Sequence, residues 1–259
     1  MNATYNTAKD DPVLVLNPDA KSRVVVVCEH ASCFIPDAYN DLGLTGDALT
    51  SHIAWDPGAL EVAKGLAERL DATLVASNIS RLVYDCNRPS SAADATPVQS
   101  EAIKVPGNAN LTAAQRAERV NTVYEPFRAR LAKVNAGITG PIIVTIHSFT
   151  PIYHGAKRPV EIGILHDTDT RLADALLHVA PQHTDALVLR NEPYGPQHGV
   201  THTLKEHALP FGHLNVMLEV RNDLLHDATV QDAMAGCIAN WLSDALAQLQ
   251  QKGVVQCQD

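Results

Sequence analysis

Two histidines stand just beyond runs of β-branched residues. His30 follows residues 23–28 (RVVVVC), and His147 follows residues 141–146 (PIIVTI). A third run, residues 214–220 (LNVMLEV), carries Glu219, with Arg221 at its exit. Two imidazoles and a carboxylate from three strand ends match the donor set of a catalytic zinc site, which uses three protein ligands and keeps one position open. Such a metal lowers the pKa of a water and polarises a carbonyl, and a neighbouring carboxylate takes the proton. A single histidine after a strand is more often a locally hydrogen-bonded loop cap. Recurrence at two strand ends, with Glu219 on a third, shifts the balance toward metal chemistry.

Two further clusters carry chemistry. Residues 80–89 (SRLVYDCNRP) set Arg81, Asn87 and Arg88 around a short apolar stretch. Arginine is suited to bidentate recognition of a carboxylate, and an adjacent asparagine adds a donor. The same residues would serve equally well as a surface ion-pair network. In residues 52–57 (HIAWDP), Asp56 directly precedes a helix start. It either caps that helix or supplies an oxygen ligand to a metal.

These groups need a scaffold, and the hydrophobic pattern describes one. Residues 23–28, 72–77, 82–85, 141–146, 159–165, 186–189 and 214–220 read as short strands. Between them, residues 57–70, 112–135, 169–179 and 227–249 read as helices. Pro57 opens the first, Thr112 with Gln115 forms a capping box for the second, and Gly137 stops it. Residues 90–110 read as a long surface loop. The alternation predicts an α/β fold, a mixed and mostly parallel sheet flanked by helices, in one domain spanning residues 1–259. Residues 1–20 and 253–259 are expected to be peripheral. In such a sheet, ligands collect at the carboxyl ends of the strands, where His30, His147 and Glu219 stand.

Composition narrows the function. Of 259 residues, 46% are hydrophobic and 19% charged, enough apolar material for a substantial core. Twenty Lys and Arg against twenty-nine Asp and Glu give a net charge of −9, a poor match for nucleic acid or an anionic membrane. Five cysteines without a C-x-x-C pair read as reduced thiols of a cytoplasmic protein. No secretory leader is visible in the polar first residues, and no apolar run reaches the length of a membrane span. A serine hydrolase is disfavoured because there is no G-x-S-x-G elbow. Apart from His30 and His147, the histidines are expected in loops or at helix ends, mostly solvated.

The chain resembles the N-formylglutamate amidohydrolase family in six ordered motifs. They are CEHASCFIPD from Cys28, HIAWDPGA from His52, SRLVYDCNRP from Ser80, IHSFTP from Ile146, NEPYG from Asn191 and LEVRNDL from Leu218. The family is similar in fold to zinc carboxypeptidases and aspartoacylases. The resemblance implies a divalent metal, with zinc expected, held by His30, His147 and an early carboxylate, Asp56 or alternatively Glu29. It implies Glu219 as general base, with Arg221 orienting it or binding substrate. Arg81, Asn87 and Arg88 would hold the substrate's carboxylates, with Ser148 beside them. The family reaction is hydrolysis of N-formyl-L-glutamate to formate and L-glutamate. The implied partner is therefore a small acidic N-acyl amino acid, its exact identity left open. The non-enzymatic alternative is a metal- or amino-acid-binding protein on the same scaffold.

Overall fold

The computed structural model describes residues 11–251. Seven strands form the main sheet: β1 (Val13–Leu16), β2 (Val24–Cys28), β3 (Thr73–Ser77), β4 (Ile142–Phe149), β5 (Ile162–Leu165), β6 (Val188–Arg190) and β7 (Asn215–Arg221). Their order is β1-β3-β2-β4-β7-β5-β6. The four central strands β3, β2, β4 and β7 run parallel, while β1 and β5 pair antiparallel to their inner neighbours. All residues of β2, β3, β4 and β7 are buried, as expected of strands covered on both faces and composed of continuous apolar runs.

Helices α1 (Ala59–Arg69), α4 (Arg171–Val179) and α6 (Ala228–Gln251) cover one face. In α1 the buried residues Ala59, Val62, Ala63, Leu66 and Ala67 recur at helical spacing, and four alanines and glycines let it lie close to its neighbours. Gly65 is one of them, because a Cβ there would come within 2.8 Å of the Ala235 Cβ of α6. On the other face lie α2 (Ala113–Arg119), α3 (Glu125–Ala136) and α5 (His202–His207), with the long loops between them. The capping box of Thr112 and Gln115 is formed. A π turn over Val120–Tyr124 joins α2 to α3 where the sequence suggests one continuous helix.

Two expectations are corrected. Residues 82–85 make no strand. They form turns, with the Val83 N–H donating to the Ser80 carbonyl and the Arg88 N–H to the Asp85 carbonyl. Their apolar character reflects burial of Leu82, Val83 and Tyr84 in the core rather than pairing. Residues 13–16, expected to be peripheral, instead add an edge strand, paired antiparallel from Val13↔Ser77 to Leu16↔Leu74. VLVL between Pro12 and Asn17 is a short strand bounded by turn residues. The expectation for residues 253–259 lies outside the described residues. No helix among the described residues is long and apolar enough to cross a membrane.

The chain leaves β2 through α1 to reach β3 on one side, then returns through α2 and α3 to β4 on the other. The carboxyl ends of β2 and β4 therefore flank a switch point, the crevice in which α/β sheets bind ligands.

Candidate active site

His30 lies two residues past the end of β2, and His147 lies near the end of β4, the neighbouring strand. Asp56 reaches them from the turn ahead of α1. The helix starts without a side-chain cap, so Asp56 does not spend its carboxylate there. Its backbone holds the turn in place: the Asp56 N–H donates to the His30 carbonyl, and the Asp56 carbonyl accepts from Ala59. Ser148 secures the same turn, its Oγ donating to the Pro57 carbonyl at 2.7 Å and its N–H to Asp56 Oδ2 at 3.3 Å.

Three donor atoms converge. His30 Nδ1 and His147 Nδ1 are 3.2 Å apart, and Asp56 Oδ2 lies 3.3 Å from the first and 2.8 Å from the second. A tetrahedral ion about 2.0–2.1 Å from each donor would set them about 3.3 Å apart. The observed triangle is thus close to one face of such a coordination sphere. A carboxylate stands behind each imidazole. His30 Nε2 meets Asp85 Oδ1 at 2.7 Å, and His147 Nε2 faces Glu29 Oε2 at 3.0 Å. Carboxylates behind ligating histidines fix the tautomer that turns the other nitrogen toward the metal. Glu29 therefore stands behind His147 rather than in the donor triangle of His30, Asp56 and His147.

Arg81 bridges both layers, donating to Asp56 Oδ1 at 3.3 Å and to Asp85 Oδ2 at 3.1 Å. Its side chain retains 29% exposure, so it also borders the open side of the cluster. Glu219 is the register partner of His147 in the parallel pairing of β7 with β4, and of Gly163 across β5. Glycine is required at 163, because a Cβ there would come within 2.0 Å of the Glu192 carbonyl oxygen. Glu219 is buried, and its Oε2 has no hydrogen-bond partner among the described residues.

The electrostatics follow from this crowding. Four buried carboxyls, Glu29, Asp56, Asp85 and Glu219, gather around two imidazoles and one permanent cation. Burial and Arg81 would lower the pKa of His30, but Asp85 and Asp56 outweigh them and raise it. Burial opposes protonation of His147 too, yet Glu29 and Asp56 hold its pKa well above the ordinary range. Burial would raise Asp85, but His30 and Arg81 keep it well below its usual value. Asp56 is lowered by His30 and His147 against the same desolvation. Glu219 goes the other way: burial pushes it up to about 7, aided by Asp56 and opposed by His147. The cluster thus draws positive charge to the donor triangle, and a dication supplies it without protonating the imidazoles. These donors fit a divalent metal, and their mix of imidazole and carboxylate suits zinc.

Three sequence candidates find their partners elsewhere. Arg88 donates to Asp94 Oδ2 at 2.9 Å and to the carbonyls of Asn87, His198 and Gly199. Asn87 is buried, donating to the Val200 carbonyl and accepting the Thr203 N–H at 3.0 Å. Together they anchor the segment leading into α5 instead of presenting a free clamp. Arg221 is committed to Asp223 at 2.8 Å, to Glu161 at 3.3 Å and to carbonyls of residues 158–160. Two histidines expected to be solvated are buried: His166, which accepts from Arg190 at 3.0 Å, and His207 on α5. His154 is exposed at a hairpin tip.

Asp85, Tyr194 and Arg158 escaped sequence reasoning. Asp85 lies inside the SRLVYDCNRP motif, among arginines and an asparagine whose types suit a carboxylate clamp. Tyr194 lies in NEPYG, and its hydroxyl stands in the field of Glu219, Arg158 and Arg81. Arg158 follows a hairpin and belongs to no recognised motif.

A family model described as N-formylglutamate amidohydrolase matches residues 22–226. The crystal structure of gene product Atu2144 from Agrobacterium tumefaciens is 50% identical, with a TM-score of 0.90 over 95% of this chain and 99% of that one. N-formylglutamate amidohydrolase from Ralstonia eutropha JMP134 is 16% identical, with a TM-score of 0.57 over 92% of this chain and 99% of that one. A metallo-carboxypeptidase from Burkholderia cenocepacia is 13% identical, with a TM-score of 0.42 over 92% of this chain and 61% of that one. No curated protein matches the chain in sequence.

Proposed function

This chain belongs to the N-formylglutamate amidohydrolase family, and from that premise we propose that it is a metal-dependent amidohydrolase acting on a small acidic N-acyl amino acid, with N-formyl-L-glutamate the favoured substrate. The observation that carries the reading is the triangle of His30 Nδ1, His147 Nδ1 and Asp56 Oδ2 beside Glu219, whose Oε2 has no hydrogen-bond partner among the described residues.

His30, His147 and Asp56 would hold the metal. When bound, zinc polarises the acyl carbonyl and makes water a nucleophile near neutral pH. Glu219 is the general base, for three reasons. It is buried next to the ligands, one oxygen is uncommitted, and a carboxyl poised near 7 both accepts and returns a proton efficiently. It takes the proton of the attacking water and passes it to the nitrogen of the departing amine. Asp85 and Glu29 keep the imidazoles in the ligating tautomer. Arg81 steadies Asp56 and Asp85 and leaves part of its guanidinium toward the open side, available to a carboxylate of the substrate. The unpaired cysteines Cys28, Cys33, Cys86 and Cys237 support a cytoplasmic setting.

The test is hydrolysis of N-formyl-L-glutamate by zinc-loaded protein, with formate and glutamate both measured. Equimolar release that stops on chelation and returns with zinc is expected. Zinc binding without release of formate would leave a binding protein and end the enzymatic reading.

A further inference from the structure

Arg158 directly follows the small hairpin of Ile152–Tyr153 and Ala156–Lys157. Its guanidinium carbon lies 4.4 Å from the centroid of the Tyr153 ring, 4.8 Å from that of Tyr194 and 5.6 Å from that of Phe149. Its hydrogen bond to the Thr150 carbonyl is long, at 3.4 Å. Among the described residues, no carboxylate pairs with it, whereas Arg81, Arg88 and Arg221 all have acidic partners. Three aromatic faces restrict the guanidinium without neutralising it. That combination prepares an arginine to receive an anion, since its position is set and its charge is unspent.

The surroundings tie this arginine to the metal donors. Phe149 stands two residues past His147 on the same strand and the same face, about 7 Å along it. Tyr194 links Arg158 to the interior: its ring lies 4.8 Å from the guanidinium carbon, and its hydroxyl, raised first by burial, is near enough to Glu219 and Arg81 for their charges to act on it. The hairpin is held from the other side by Glu101, whose Oε1 accepts the His154 N–H at 2.8 Å and whose Oε2 meets His52 Nε2 at 2.9 Å. In an N-formyl dicarboxylic amino acid, the formyl carbon and the side-chain carboxyl carbon lie about 6 Å apart when extended.

The geometry points to Arg158 as the anchor of a second substrate carboxylate, the residue that makes the site prefer dicarboxylic over monocarboxylic acyl amino acids. Arg81 serves the carboxylate nearer the reacting carbon. This inference rests on the amidohydrolase reading and deepens it.

The experiment compares wild type with Arg158→Met and Arg158→Lys in two assays. The first measures kcat/KM for N-formylglutamate and N-formylglutamine. Arg158→Met should lose about 50-fold or more on N-formylglutamate, mainly through KM, and less than about threefold on N-formylglutamine, with partial rescue by Lys. The second measures calorimetric binding of glutarate against butyrate, which needs no turnover. Glutarate affinity should fall about 30-fold or more in Arg158→Met, with butyrate unchanged. Equal losses on both acyl amino acids, or unchanged glutarate binding, would overturn the assignment while leaving the enzymatic reading intact. If wild type hydrolyses neither substrate yet binds glutarate through Arg158, the enzymatic reading fails and the anchor stands. Wild type that does not bind glutarate would overturn the anchor directly.

Discussion

Glu219 and His147 are register partners on adjacent parallel strands, so one backbone ladder fixes the proposed base against a proposed ligand. A residue slip in either strand would turn one side chain to the opposite face. Because Glu219 is not in the donor triangle, its role separates cleanly from metal binding. Glu219→Gln keeps the volume and removes the proton acceptor. Turnover should fall by about 10²–10⁴, while zinc content stays at the wild-type level. Steady-state kinetics with elemental analysis on the same sample checks this. Unchanged kcat would remove Glu219 from the mechanism.

Asp85 lies 2.7 Å from His30 Nε2 and is also held by Arg81. Replacing it with Asn leaves a hydrogen-bonding group but takes away the charge that orients the imidazole and raises its basicity. Asp85→Asn should weaken zinc binding by about 10–100-fold. Competition with a chromogenic chelator measures this. Zinc affinity equal to wild type would confine Asp85 to a structural part.

Much of this arrangement could be read from residues alone, and the reasons differ by element. Continuous runs such as RVVVVC and PIIVTI leave little choice but buried strands, and strand ends are where His30 and His147 were found. Thr112 and Gln115 announced a helix start by local chemistry that does not depend on tertiary context. LVYD misled because burial alone imitates a strand when no neighbour pairs with it. Arginine type and order suggested a clamp at Asn87 and Arg88, yet their bonds to residues 198–203 are long-range and invisible in the chain. Arg158 was hidden for the same reason, since its cradle assembles Phe149, Tyr153 and Tyr194 from separate segments.

Part of the pH dependence of the metal-free protein follows from Glu219. Burial sets its folded pKa at about 7, above the ordinary 4.5. Below the lower value, the group is protonated in both folded and unfolded chains and costs nothing. As pH rises through the window between them, the unfolded chain releases the proton first, and stability is lost until the folded carboxyl also ionises. The loss at about pH 8 is on the order of 3 kcal/mol and much smaller near pH 5. Glu219→Gln removes it, so chelator-treated Glu219→Gln should be more stable than wild type at about pH 8 and nearly equal near pH 5. Urea unfolding at the two pH values tests the sign. Equal stability at the higher pH would mean that the carboxyl ionises freely in the fold.

Arg88 separates a structural arginine from a substrate-binding one. Its guanidinium joins Asp94 to the carbonyls of His198 and Gly199, and its side chain is only 13% exposed. Truncation would leave those carbonyls short of a donor and loosen the approach to α5, whose Thr203 N–H is held by neighbouring Asn87. Arg88→Ala should therefore cost about 1–3 kcal/mol of stability. Any loss of kcat/KM should be equal for N-formylglutamate and N-formylglutamine, because no carboxylate contact is removed. Thermal unfolding and the two-substrate comparison check both halves. A loss confined to N-formylglutamate, with stability intact, would restore Arg88 as a clamp and require its guanidinium to leave Asp94 when substrate binds.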